Sequence, residues 1–290
     1  MTDRYAVIGN PVAQSQSPRI HALFARAVGH ELEYGRILGT PGHFADDVRA
    51  FRAAGGRGLN ATVPFKLDAH ALATERTARA AQAGAVNTLK FEGDRIIGDN
   101  TDGAGLVRDI ERLGCSIGGK RVLLMGAGGA ARGVMLPLLD ERPAGIAIAN
   151  RTLEKAQALA TQFAPLAPAG IPVRGGGYAA FAGEAFDLVI NATSASLAHQ
   201  IPSLPQGAFA QGALAYDMVY GEAAEPFLAR ALAQGAAQAV DGLGMLVEQA
   251  AESFFLWRGL RPPTAPVLAL LRRDTAQHAA AADPTLTRTR

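Results

Sequence analysis

The chain has 290 residues, enough for one large or two modest domains with a substantial core. With 49% hydrophobic and 19% charged residues it is too apolar to be disordered, and a net charge of +2 gives no basis for binding nucleic acid or acidic membranes. Cys115 is the only cysteine, so no internal disulfide is possible, and the six histidines show no paired-ligand spacing, so no metal is expected. No apolar run reaches membrane-spanning length and the N-terminus leads directly into a strand pattern, so a cytoplasmic protein without a signal peptide is expected.

Residues 5–9 read as a first strand, closed by Asn10-Pro11. Ile20, Leu23, Phe24, Ala27 and Val28 then mark one face of a helix, with Ser17 placed as its N-cap, Pro18 as its first residue and Gly29 as its stop. Capping alone would account for Ser17. Ser15 is not needed as a cap, which tips the reading towards an anion site made of hydroxyls and helix N–H groups, suited to a carboxylate. Residues 32–38 read as a strand, 44–53 as a helix, 58–62 as a third strand, and the alanine-rich stretch 67–83 as helical. Strands at 85–89 and 95–98 follow, then a helix from about 105 to 113 that Thr101 or Asp102 would cap.

The stretch 120–155 organises the rest. Val122-Leu123-Leu124-Met125 is too short for a typical helix and reads as a buried strand. Gly126-Ala127-Gly128-Gly129-Ala130-Ala131 is a G-x-G-x-x-A turn leading into a helix, and residues 145–149 form the next strand. Gly126 permits the tight turn, Gly128 lets backbone approach a pyrophosphate, and Ala131 keeps helix and sheet close. Pro137 lies inside that helix and cannot bond back to Gly133, so a kink is expected there.

An NAD site usually places Asp or Glu at the end of the second strand. Here the strand ends in Asn150, followed by Arg151, Thr152 and Lys155. Two cations and a hydroxyl suit a 2′-phosphate, so NADP(H) is the expected cofactor. Residues 186–191 and 213–216 read as further strands, 245–257 as an apolar-rich helix, and 275–290 as a frayed tail.

Seven segments together carry a resemblance. Ser15-Gln16-Ser17-Pro18, Asn60-Ala61-Thr62-Val63-Pro64-Phe65-Lys66, Gly84-Ala85-Val86-Asn87-Thr88 and Gly98-Asp99-Asn100-Thr101-Asp102-Gly103 resemble the shikimate dehydrogenase family. So do Asn191-Ala192-Thr193-Ser194, Tyr216-Asp217-Met218-Val219-Tyr220 and Asp241-Gly242-Leu243-Gly244-Met245-Leu246-Val247, in the same order over roughly residues 4–272. The resemblance implies NADPH-dependent reversible reduction of 3-dehydroshikimate to shikimate, on the route to aromatic amino acids. It implies an α/β protein with two domains: a Rossmann-type doubly wound parallel sheet for the cofactor, residues 104–237, and an α/β substrate domain of residues 1–103 completed by C-terminal helices at 238–274.

By the same resemblance, Lys66 and Asp102 are the acid–base pair, and Ser15 and Ser17 bind the substrate carboxylate with help from Tyr220. Thr62, Asn87 and Gln249, together with Lys66 and Asp102, hold the ring hydroxyls. Gly126, Ala127, Gly128, Gly129 and Ala130 hold the pyrophosphate, Asn150, Arg151, Thr152 and Lys155 the 2′-phosphate, and Met218 and Gly242 lie near the nicotinamide. Departures from the family pattern are Gln14, where many relatives have histidine, Ala78, often acidic, and Ser196, often glycine. A quinate/shikimate enzyme of dual specificity, sometimes using NAD, is the nearest alternative, and Thr152 and the two serines disfavour it. A non-catalytic NADPH-binding sensor is a remoter one. Monomer and homodimer are both compatible with the sequence.

Overall fold

The expected strands collect into two separate six-stranded sheets. The computed structural model describes residues 2–195 and 202–282, with side chains in the last helix to residue 274. The first sheet contains β1 (Asp3–Gly9), β2 (Leu32–Leu38), β3 (Gly56–Ala61), β4 (Glu75–Arg76), β5 (Thr88–Glu92) and β6 (Arg95–Asp99), in the order β2-β1-β3-β5-β6-β4. It is mixed: β1 runs parallel to β2 and β3, while β5 runs antiparallel to β3 and β6. Its helices are α1 (Ser17–Val28), α2 (Phe44–Ala53), α3 (Lys66–Leu72) and α4 (Ala78–Ala83).

Helix α5 (Asp102–Arg112) carries the chain to the second sheet. There β7 (Arg121–Met125), β8 (Gly145–Ala149), β9 (Val173–Gly176), β10 (Phe186–Asn191), β11 (Phe209–Asp217) and β12 (Gln238–Val240) are all parallel, in the order β12-β11-β10-β7-β8-β9. This is the doubly wound dinucleotide-binding order, with its switch point beside β7. Helices α6 (Gly129–Asp140), α7 (Leu153–Phe163) and α8 (Glu225–Ala233) connect its strands. The sequence of β7 shows why this sheet has no polar alternation. Val122 and Leu124 enter one core cluster with Val134 and Leu138 of α6, while Leu123 and Met125 enter another with Phe227 of α8. Both faces are covered, as parallel sheets require. Truncating Leu124, which is fully buried, to alanine would cost about 2–5 kcal/mol.

The last helices, α9 (Leu243–Arg258) and α10 (Ala265–Ala282), return to the first sheet. Val247 and Phe254 of α9 pack with Ile20 and Phe24 of α1, and Trp257 Nε1 donates to Leu89 O of β5 at 2.9 Å. Helix α6 continues through Pro137, and the Gly133 carbonyl that the proline leaves free faces Gly103. A Cβ on Gly103 would stand 2.7 Å from that oxygen, so only glycine fits.

Several boundaries differ from the sequence reading. The stretch 67–83 is two short helices split by β4, because Glu75 and Arg76 pair with Ile97 and Gly98 at the sheet edge. Residues 85–87 form a loop, and the strand there begins at Thr88, where pairing with Asn60 starts. Helix α5 begins at Asp102, earlier than 105. Strand β12 pairs with β11, so the second sheet runs past the expected boundary at 237 to Val240. The expected tail is helical as far as Ala282, and residues 283–290, like Ser196, lie outside the described residues.

Candidate active site

On the second sheet, β7 ends in the glycine turn. Gly126 has φ +110°, and a Cβ there would lie 3.0 Å from Ala192 O, so both turn geometry and the neighbouring strand demand glycine. Gly128 caps α6 in an extended conformation, with open space where a side chain would be and no side-chain cap on the helix. The first N–H groups of α6 therefore have no side-chain acceptor among the described residues, and the space before them suits a pyrophosphate. Ala127 is buried and Ala130 packs against the core.

At the end of β8, Asn150 turns its amide onto Thr152 O at 2.9 Å. Arg151 and Lys155 are exposed, and neither has an ion pair among the described residues. Tyr178 stands near Arg151. Burial raises its phenol pKa, and the Arg151 charge opposes that rise. A pair of free cations with no carboxylate at the strand end fits a dinucleotide carrying a 2′-phosphate better than one without it. Met218 and Gly242 meet at the ends of β11 and β12: a Cβ on Gly242 would stand 2.4 Å from Met218 O.

Across from this turn lies a buried polar cluster. Lys66 Nζ at the start of α3 donates to Asp102 Oδ2 at 2.5 Å, with the side chains 16% and 8% exposed. Asp102 is the first residue of α5, where the helix dipole favours a carboxylate. Asn87 Nδ2 donates to Asp102 Oδ1 at 2.8 Å and to Thr101 Oγ1 at 2.9 Å, and it reaches Gln249 Oε1 at 3.3 Å. Thr101 occupies the cap position but its hydroxyl does not cap; it reaches Gln249 Oε1 at 3.2 Å instead. Four of the expected residues, Lys66, Asn87, Asp102 and Gln249, are thus brought together, with Thr101 as an unanticipated fifth. Behind them the Tyr216 hydroxyl donates to the fully buried Asp109 at 2.7 Å and accepts from Met245 N at 3.3 Å, which ties α5 and α9 to β11.

The serines form a second group. Gln16, not Ser17, occupies the cap position of α1, and it makes no capping bond. Ser15 Oγ instead accepts from Ser17 N at 3.3 Å and donates to Ser17 Oγ at 3.2 Å, so the expected division of labour between the two serines is reversed. The cause is local: Pro18 has no N–H, and Ser17 N is the nearest free donor. Tyr220 reaches this loop from the end of β11. Burial raises its phenol pKa, opposed by the Gln16 backbone and the Arg36 charge. Arg36 on β2 donates to Ser15 O at 2.6 Å, a cation beside the serine pair that the sequence reading missed because it reads there as an ordinary strand-surface charge. Thr62, half-buried after β3, donates its N–H to Ile8 O at 2.9 Å. Gln14 and Ala78 are both exposed.

Two charges of opposite sign, largely shielded from water and packed against the glycine turn, can move a proton to or from a polar group. Comparisons with known proteins give the family. Residues 7–89 match the shikimate dehydrogenase substrate binding domain, 110–199 the shikimate / quinate 5-dehydrogenase family and 242–272 the shikimate 5'-dehydrogenase C-terminal domain. The chain is 59% identical over 273 residues to shikimate dehydrogenase (NADP(+)) of Aromatoleum aromaticum, covering 94% of this chain and 98% of the relative. Its structure resembles an Ael1 enzyme from Pseudomonas putida, with a TM-score of 0.83 at 49% identity over 93% of this chain and 98% of that one. It also resembles shikimate 5-dehydrogenase of Thermus thermophilus in complex with NADP(H) and shikimate, with a TM-score of 0.83 at 33% identity over 94% and 99%. With two matching sheets, a dinucleotide turn and near-complete coverage of its relatives, the chain belongs to the shikimate dehydrogenase family.

Proposed function

We propose that the protein catalyses the reversible, NADPH-dependent reduction of 3-dehydroshikimate to shikimate in the cytoplasm. The observation that carries this reading is the Lys66–Asp102 pair, 2.5 Å apart and largely buried, beside the glycine turn of the second sheet. On this reading residues 1–103, with the C-terminal helices at 238–274, are the substrate lobe and residues 104–237 the cofactor lobe, a division supported by the two separate sheets, the second of which continues to Val240.

Bound NADPH supplies the hydride. The developing alkoxide needs a proton and a positive charge, and the Lys66 ammonium offers both. Asp102 directs that ammonium and accepts a hydrogen bond from a ring hydroxyl, while Asn87, Gln249 and Thr62 contact the remaining ring oxygens. Ser15 and Ser17, with Tyr220 beside them, take the carboxylate, fixing which ring face meets the cofactor. On the other lobe, the α6 N-terminus with Gly126 to Ala130 takes the pyrophosphate. Arg151 and Lys155, with Asn150 and Thr152 shaping the loop, take the 2′-phosphate. Met218 and Gly242 flank the nicotinamide.

The test is the absorbance of reduced nicotinamide with shikimate plus NADP, compared with quinate and with NAD. Growth of the band with shikimate and NADP, many times faster than in the other combinations, supports the assignment. Equal turnover of quinate would widen it to both acids, and no turnover of either would overturn it.

A further inference from the structure

The serine group and the acid–base pair are joined beneath the site by buried and half-buried side chains whose polarity packing does not require. Asn60 of β3 and Thr88 of β5 face each other as a register pair, 6% and 0% exposed. Tyr34 OH lies 2.6 Å from Asn60 Oδ1, Asn60 Nδ2 lies 3.0 Å from Thr88 Oγ1, and Thr88 Oγ1 donates to Asn87 Oδ1 at 2.9 Å. Asn87 Nδ2 then donates to Asp102 Oδ1 at 2.8 Å. At the far end the Tyr34 phenol stands beside the Ser17 hydroxyl.

Backbone groups fix the orientation of both amides. Asn60 Nδ2 faces the Asn87 carbonyl at 3.2 Å, an obligatory acceptor, so the amide oxygen must face Tyr34 and the phenol must donate. Asn87 Oδ1 faces Thr101 N at 2.9 Å, an obligatory donor, so its NH₂ must face the carboxylate. The bonds therefore run one way, from Tyr34 through Asn60, Thr88 and Asn87, and end on Asp102. Bonds aligned head to tail polarise one another, and the last donor stabilises the carboxylate charge. Ser253 Oγ of α9 donates to Gln249 O at 3.1 Å, accepts from Asn60 Nδ2 at 2.9 Å and stands 2.8 Å from Thr88 Oγ1, so it holds the line from the side and shares the Thr88 proton with Asn87 Oδ1.

We infer that Tyr34, Asn60 and Thr88 are positioning residues, which orient the Asn87 amide and so hold Asp102 in the geometry that aims Lys66 at the substrate. This rests on the assignment of Lys66 and Asp102 as the acid–base pair. None of the three residues is needed to make a pocket wall, since apolar side chains of the same shape would pack there without desolvating polar groups.

The test is steady-state kinetics on the full chain with Thr88→Val, Thr88→Ser, Tyr34→Phe and Lys66→Met, each with an NADPH fluorescence titration. Thr88→Val keeps the shape and removes the hydroxyl. Its kcat should fall about tenfold, the effect of one hydrogen bond on a barrier, while KM for shikimate and NADPH affinity stay within about twofold. Thr88→Ser should recover most of that loss, and Tyr34→Phe should lower kcat in the same sense. A wild-type kcat in Thr88→Val, or equal losses in the Val and Ser variants, overturns the inference. Should Thr88→Val fail to fold, Tyr34→Phe decides by the same criterion. Lys66→Met separates the positioning line from the acid–base pair it serves. If it loses turnover while Thr88→Val does not, only the positioning line fails; if it keeps turnover, the acid–base assignment itself fails.

Discussion

Gly129, the first residue of the helix that follows the glycine turn, stands directly against Lys66: a methyl group on Gly129 would lie 3.7 Å from Lys66 Cβ. The lysine belongs to the first sheet's α3 and the glycine to the second sheet's α6, so the proposed proton donor and the dinucleotide turn meet across the gap between the sheets. Lys66→Ala should therefore lower kcat by about 10²–10⁴-fold, the usual range for a lost acid–base group. NADPH affinity should change little, because the turn itself is untouched. Turnover and fluorescence measurements on one preparation check both, and near-normal turnover would remove Lys66 from the mechanism.

Arg151 and Lys155 are free of ion pairs among the described residues, so their charge is available to a phosphate. Replacing either by alanine should raise KM for NADP about tenfold, a charge-assisted hydrogen bond weakened by solvent screening, and leave KM for NAD nearly unchanged. The ratio of the two KM values is the readout. Added salt should weaken NADP binding to the wild type more than to the double variant. Parallel changes with both cofactors would show that the two cations only shape the loop.

Arg36 bears on the other end of the site. Its guanidinium donates to Ser15 O, holding the serine loop and adding positive charge where a carboxylate would sit. Arg36→Met keeps much of the aliphatic stem and removes that charge. KM for shikimate should rise about three- to tenfold with kcat largely kept, since binding of an unreacting group is lost equally in ground and transition states. A fall in kcat with unchanged KM would contradict this.

Which parts of the fold and site could be read in advance follows from the range of the forces involved. The G-x-G-x-x-A turn, Gly126 with its positive φ, and the apolar runs of β7 and β8 are local statements about backbone and burial, and they were legible. The division of 67–83 into two helices was not, because it depends on Glu75 and Arg76 pairing with β6, about twenty residues away. The serines were legible as a pair, yet their hydrogen bonding was not, since it turns on which N–H Pro18 leaves free. Arg36, Tyr34 and Ser253 were silent in the sequence. Each gains its role from a partner more than twenty residues distant, through Ser15, Asn60 and Asn60 respectively.

His21 gives a prediction about stability and pH. It is fully buried, stacked on Tyr34 with centroids 4.3 Å apart and planes 5° from parallel, with Trp257 5.3 Å away. Burial lowers its pKa from 6.5 to about 3, only partly opposed by the Asn60 side chain. The folded protein therefore keeps this imidazole neutral at pH values where the unfolded chain protonates it. Above pH 6.5 the group costs no stability; as pH falls from 6.5 towards about 3 the unfolded state binds the proton alone, and stability declines. Between pH 7 and pH 5 this amounts to about 2 kcal/mol. His21→Phe keeps a ring against Tyr34 and has nothing to titrate. Any packing penalty it brings is the same at both pH values, so the difference in slope isolates the imidazole. Urea unfolding at pH 7 and pH 5 should show the wild type losing about 2 kcal/mol more than the variant over that interval. Parallel losses in the two proteins would mean that the buried ring takes up a proton without unfolding.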